Sequence, residues 1–463
     1  FGISIVAIIL RVSTMFPSCV TKSFVQAAAR RVVVSFPSPS RKCNDGAFRC
    51  LSTAFTQDDA RQQNSSGLNY ELFRYGRGMP IQSSFTPPST WYTKKQFFER
   101  DREAVFLRKN WVAVDVWTDQ RPGAFKSGTF LGEPYLLTRN KDGQLRAFYN
   151  VCSHAGSCLA GPWTTAQQST DSSSCLRLSA DLVGQSSEGC LSAGGSFQCP
   201  YHGWRFNLDG RLTKATQTKG IQNFRAKDYS LKSIPARQLG PIVFLNFGGA
   251  ESEEEQGSFD ESQSRFSERL YQNGFVPDLS DLQLVESRRY TLQCNWKVFT
   301  DNYGDGCYHC GYAHVDLASN IDENSYSTEI LSEELTIQQA PPSDADERFG
   351  SKTAVYAQWY PNVMLNRYGP WLDIDIVIPR DESTCTVFKS WFLEHDFALP
   401  SKTYIEESLV SSEKVHDEDV FLCENVQLGM QSRGFDAGRY VPTKQIATYH
   451  FHQRLARDLQ CFQ

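Results

Sequence analysis

At 463 residues, with 40% hydrophobic and 21% charged side chains, the chain is long enough for two or three domains with sizeable cores and reads as an ordinary soluble protein. A formal net charge of −5 and the lack of a long basic run argue against nucleic acid as a partner. The 14 cysteines, several in metal-ligand spacing, point to a reducing compartment rather than a disulfide scaffold.

Residues 1–56 carry seven basic side chains and one acid, Asp45, in a Ser- and Val-rich background. That composition predicts an organelle transit peptide removed on import, with the plastid stroma preferred to the mitochondrial matrix; a disordered basic tail is the bland alternative. The apolar run "ISIVAIIL" is too short to span a bilayer, and no membrane segment is expected. The chain opens on Phe1, and Met15 is the expected start. Residues 57–104 read as a polar linker followed by a helix.

Strand signals then dominate. "WVAVDVW" (111–117) is β-branched and aromatic throughout, and "PIVFLNF" (241–247) is similar. Hairpins are predicted at Asp142-Gly143 and Asp209-Gly210. Together they define a small antiparallel β domain over 105–248. The Gly-, Ser- and acid-rich stretch 248–262 reads as a solvated boundary. In 249–463, "RRYTLQCNWKVF" and "TCTVFKSWFL" look like strands and 404–430 like a helix. The fold class is therefore α+β, with an antiparallel sheet covered by helices. There is no dinucleotide fingerprint, so no reductase module is evident.

Two constellations carry chemistry. Cys152-x-His154 and Cys199-x-x-His202 each place one thiol and one imidazole on a loop beside a hairpin. A zinc finger usually groups like ligands in sequence, whereas two irons bound by like pairs need one of each per loop. These loops, with "CPYHGW", resemble the Rieske family, which implies a [2Fe–2S] cluster on Cys152, His154, Cys199 and His202. The stretch between the loops is unusually long, and an insert at about 158–196 is expected, with Cys158, Cys175 and Cys190 as passengers.

The second constellation is "DNYGDGCYHCGYAH". His309 and His314 match two ligands of a two-histidine, one-carboxylate iron(II) site. At this spacing they lie apart on an ideal helix, so a break is required, and Gly311 would ease it. Asp417, Glu418 and Asp419 offer the carboxylate, although acids at a helix start are also ordinary dipole chemistry. Asp305, four residues before His309, is placed to accept the His309 ring proton; Asp301 and Asn302 are alternatives.

The resemblance to Rieske oxygenases implies Asp419 as the third ligand, at the start of a helix. It also implies Asp305, or Asn302, as the link from His309 to His202 of a neighbouring subunit in a homotrimer. The segments "YPNVMLNRYGPWLDIDIVIP" and "EDVFLCENVQLGM" are similar to the choline-oxidising branch of that family. The implied reaction is hydroxylation of choline to betaine aldehyde hydrate, with O2 and electrons from ferredoxin. Aromatic and acidic groups would recognise such a cation. Tyr308, Tyr312, Tyr368 and Trp371 are the expected contacts, within a stretch that also holds Tyr356, Trp359, Tyr360, Asp373 and Asp375. The rival reading is N-demethylation of glycine betaine or carnitine, with Arg367 or Arg380 meeting the carboxylate. A pure electron carrier would have no use for the second histidine pair, and a zinc-stabilised binding protein would be colourless.

Overall fold

The computed structural model describes residues 67–166, 185–249, 253–318, 325–342, 350–395 and 401–462. The expected transit segment 1–56, and Cys175 within the expected insert, lie outside the described residues.

Three small sheets form the first half. Strands β1 (Val112–Val116), β10 (Ile242–Leu245) and β9 (Ala236–Leu239) make one, in that order. A second runs β4 (Leu145–Tyr149), β3 (Glu133–Arg139), β2 (Ala124–Phe130), β5 (Ser187–Cys190), and a third β6 (Ser196–Gln198), β7 (Arg205–Asn207), β8 (Leu212–Lys214). Both predicted hairpins are present, turning where Gly143 and Gly210 adopt φ of 76° and 72°. A Cβ on Gly210 would lie 2.4 Å from the Phe148 ring, so this turn admits no side chain.

Part of the expected insert belongs to this domain. Leu159, Ala160 and Leu191 are buried in its core, and β5 pairs with β2. Cys190 sits in that strand, exposed and free. Length between the loops therefore does not mark where the domain stops.

The second half is built on a seven-stranded antiparallel sheet, ordered β11 (Leu282–Leu292), β17 (Cys385–Glu394), β16 (Trp371–Pro379), β15 (Val363–Tyr368), β14 (Ala354–Trp359), β13 (Leu335–Ala340), β12 (Ser327–Ile330). Helices α1 (Gly67–Arg74), α2 (Glu253–Gln272), α3 (Trp296–Asp305), α4 (Lys402–Met430) and α5 (Ile446–Cys461) pack around it.

Three expectations are corrected here. The acidic stretch 248–262 is not a loop throughout, because α2 starts within it and buries Phe259, Phe266 and Leu270 at helical spacing. The strand ending "NWKVF" stops at Leu292, since the Asn295 side chain accepts from Lys297 N–H at 3.0 Å and caps α3. The described part of the polar linker and its helix contributes to the core: Leu72, Trp91, Tyr92 and Phe97 are fully buried.

That N-terminal segment anchors α3. Asp101 and Lys297 form a fully buried ion pair, and the Trp296 indole N–H donates to Asp101 at 2.9 Å. Burial pushes the Asp101 carboxyl up and the Lys297 ammonium down, each opposed by the other's charge. On its other side α3 lies on the sheet, with Gln358 donating to Thr300 O at 3.2 Å and Tyr303 to Leu365 O at 3.0 Å. Asp101→Ala would strand a buried ammonium at the root of α3. The expected loss is about 3–5 kcal/mol, read as a lower midpoint in denaturant unfolding.

Candidate metal centres

The two Cys/His loops fold alike. Cys152 N–H donates to Ser157 O at 2.8 Å, and Gly156 N–H returns to Cys152 O at 3.0 Å. Cys199 N–H donates to Trp204 O at 2.7 Å, and Gly203 N–H returns to Cys199 O at 3.0 Å. Both glycines have φ of 74°. The loops thus present thiols and imidazoles as matched pairs.

Cys152 and Cys199 are buried, whereas His154 and His202 are exposed with ring centroids 4.6 Å apart. Trp204 stacks on His154 at 4.6 Å and fixes its plane. Burial pushes the Cys152 thiol up, the His154 backbone N–H opposes this, and the neighbouring Cys199 thiol adds to it. Among the described residues, the group of three or more metal-ligating side chains whose ligand atoms lie within 4.8 Å of one another is His309, His314 and Asp419. The loop residues do not converge in that way, which argues against one tetrahedral zinc and fits two irons held by a thiol pair and an imidazole pair.

At the second centre α3 ends on Gly306, with φ 56° and ψ −136°. A short 3-10 turn Gly306–Tyr308 follows, then a single helical turn Cys310–Ala313 flanked by His309 and His314. The break expected at Gly311 is instead at Gly306 and His314. Gly311 sits inside the helical turn with open space around it. A Cβ on Gly306 would meet the Gln338 amide at 1.8 Å, so glycine is required there by both conformation and space.

Asp419 projects from the interior of α4, not from its start as expected, because Ser401 caps the helix about five turns earlier by accepting from Tyr404 N–H. Helix-dipole chemistry therefore does not account for Asp419. Its Oδ1 lies 3.0 Å from His314 Nε2 and 3.5 Å from His309 Nε2. Burial alone would raise this carboxyl, but both imidazoles hold it well below the carboxylate range. Glu418 Oε2 is 2.7 Å from His314 Nδ1, so it orients that ring rather than joining the triad. Two nitrogens and one oxygen converging on a point fit a facial iron(II) site.

Asp305 borders an outer groove beside His309, and its Oδ1 accepts from Gln445 and Thr448 at 2.9 Å. Asp301 is engaged elsewhere, by Tyr92 and His452 at 2.8 Å, and Asn302 lines the inner cavity.

That cavity, about 150 Å³, lies between α3, α4 and the sheet and reaches His309, His314 and Asp419. Tyr303, Tyr326, Tyr356 and Tyr368 line it, with Asp373, Asp375 and Lys389. Of the predicted substrate contacts only Tyr368 is among them. Tyr308 and Tyr312 face the outer groove, and Trp371 is buried in the core cluster behind Tyr368, donating to the Tyr404 hydroxyl at 3.1 Å. Trp371 shares its strand face with Asp373 and Asp375 but lies beyond the cavity's end. Arg367 is buried against Glu394, and Arg380 is an exposed residue beyond β16.

Two family models match: the Rieske [2Fe–2S] domain over residues 110–225, and the ring-hydroxylating alpha subunit catalytic domain over 279–460. The chain is 37% identical to chloroplastic choline monooxygenase of Arabidopsis thaliana, over 82% of this chain and 85% of the relative. The chain belongs to the Rieske non-haem iron oxygenase family.

Carnitine monooxygenase oxygenase subunit of Escherichia coli is 28% identical over 81% of this chain and 94% of its own. The crystal structure of the quaternary ammonium Rieske monooxygenase CntA with L-carnitine matches with a TM-score of 0.65 and 25% identity, covering 82% and 96% of the two chains. This Rieske oxygenase is thus an oxidoreductase, a monooxygenase that uses a [2Fe–2S] cluster and a mononuclear iron, with O2, a small substrate and a reductase or ferredoxin partner.

Sequence reading missed the cavity's Tyr303, Tyr326, Gln338 and His416. Only His416 left a signal, standing three residues before Asp419 on the same helix face. His309→Ala should lower iron content by a single ion per chain and abolish turnover while leaving the visible cluster absorption intact. Loss of that absorption would show the two centres to be wrongly separated.

Proposed function

We propose that this oxygenase hydroxylates choline to betaine aldehyde hydrate, using Cys152, His154, Cys199 and His202 to hold the cluster and His309, His314 and Asp419 to hold the mononuclear iron. The observation that carries the substrate is the cavity's charge. Asp373 and Asp375 face four tyrosines, and Lys389, the one lysine or arginine lining the cavity among the described residues, lies 3.9 Å from Asp375. Asp375 Oδ1 is buried without a protein partner. Aromatic faces and such an oxygen suit a trimethylammonium group, which can donate no ordinary hydrogen bond.

Size and charge both favour choline over carnitine. A cavity near this volume takes benzene, and choline is little larger. No arginine lines it among the described residues, so a carboxylate would meet two acids and one already paired ammonium.

Iron bound at the triad supplies oxygen activation, and the cluster supplies electrons from ferredoxin. The chain's own groups bind and orient. Tyr368 donates to Asp373 at 2.9 Å, fixing that carboxylate, and Tyr326 donates to Gln338 at 2.9 Å, packing the wall opposite Gly306. Glu418 holds the His314 ring proton. Closing the cavity with these side chains keeps bulk water from the reacting carbon.

Assembly as a homotrimer is part of the same proposal. His154 and His202 are exposed, and so are Tyr312 and Phe421 beside the His309 groove, at 90% and 69%. A second copy's cluster loop docked there would be linked to His309 through Asp305. The chloroplastic names of the plant relatives support the plastid stroma, and no described helix is long and apolar enough to cross a membrane.

O2 uptake coupled to product formation should be seen with choline and not with glycine betaine or carnitine; turnover of carnitine instead would replace this reading with N-demethylation. Burial pushes the Asp375 carboxyl up to about 6 against the pull of Lys389. Below that pH it takes up a proton and loses its attraction for a cation, so KM for choline should climb as pH falls through 6. Asp375→Asn should raise KM about tenfold at neutral pH and flatten this profile.

Asp305→Asn should retain both iron centres yet slow turnover about 10–100-fold. Undiminished turnover would remove Asp305 from the electron route.

A further inference from the structure

We infer that His416 receives the substrate's hydroxyl group and so makes this site selective for a hydroxyl-bearing quaternary ammonium. The inference deepens the choline reading and rests on it.

His416 stands on the cavity face of α4, one turn after Ser412 and three residues before Asp419. Its ring is only 3% exposed, and its Nε2 is buried with no partner. Buried polar atoms are rarely left unpaired without a functional reason. Tyr290 and Phe299 pack against the ring, with centroids at 4.2 and 6.3 Å, and fix its plane. Burial, reinforced by Lys389, pushes its pKa down to about 4, so the imidazole is neutral at physiological pH.

Chemistry then selects the ligand. In either tautomer a neutral ring nitrogen offers one donor or one acceptor, and a hydroxyl can answer both. A carboxylate can only accept, and a methyl group can do neither. Position agrees with this. Lys389 acts on both His416 and Asp375, and Asp419 acts on both as well. His416 thus lines the same cavity as the acids that suit the cation and the carboxylate that faces the metal. A substrate with its ammonium at Asp373 and Asp375 and its hydroxyl on His416 turns its carbinol carbon toward the triad.

The test is anaerobic calorimetry of the reduced holoenzyme with choline and with propyltrimethylammonium, which carries methyl in place of hydroxyl. Wild type should prefer choline about tenfold. His416→Leu should erase that preference without weakening propyltrimethylammonium, and His416→Gln should restore part of it. Aldehyde formed per O2 consumed should fall in the leucine variant, because the carbinol end is no longer held.

Should His416→Leu lose its cluster absorption, the wild-type and His416→Gln ratios carry the test. Equal wild-type affinity for the two ligands, or a preference undiminished in the leucine variant, overturns the role of His416. Failure of wild type to bind choline at all sinks the choline reading instead.

Discussion

The catalytic half of this molecule depends on one backbone event, the end of α3 at Gly306. His309 and His314 flank the single helical turn that follows it. The turn at Gly306 redirects the chain so that this helical turn sets both imidazoles against Asp419, and only glycine fits there because Gln338 and Tyr326 lie too close for a Cβ. The buried Asp101–Lys297 pair and the tyrosine contacts to the sheet hold α3 rigid up to that point. Rigidity before the break and freedom at it are what put three ligand atoms within 4.8 Å.

The surrounding charges follow from the same placement. Asp419 is buried, but two imidazoles keep it ionised, whereas Asp375 is buried beside one lysine and is pushed up to about 6. Two carboxylates in one cavity therefore differ in proton affinity because their partners differ. The first suits a metal and the second a soft organic cation. The cluster loops show the complementary logic, with thiols inside and imidazoles at the exposed edge.

Much of this was legible in the sequence where chemistry is local. Cys-x-His, Cys-x-x-His and the Asp-Gly hairpin turns each fix geometry within a few residues. His309 and His314 were legible as a pair, although the break was expected at Gly311. What decides it is contact with Gln338 on a distant strand, which no local pattern reveals. The acidic run before Phe259 looked like a loop because its charges mask an apolar spacing that emerges only further along α2. Asp419 was expected at a helix start because acids usually stand there; its mid-helix position appears only once Ser401 is seen to cap α4. Tyr326, Gln338 and Tyr303 converge on the cavity from separate elements, and Trp371 lies beyond its end. Such convergence belongs to tertiary structure rather than to spacing.

The claim beneath all of this is that one chain holds a storage cluster and a separate iron facing O2. Iron and acid-labile sulfide measured on the same reconstituted sample test it most directly. The account predicts about three irons to two sulfides per chain. A ratio near one to one, or zinc at the His309 site, would contradict it.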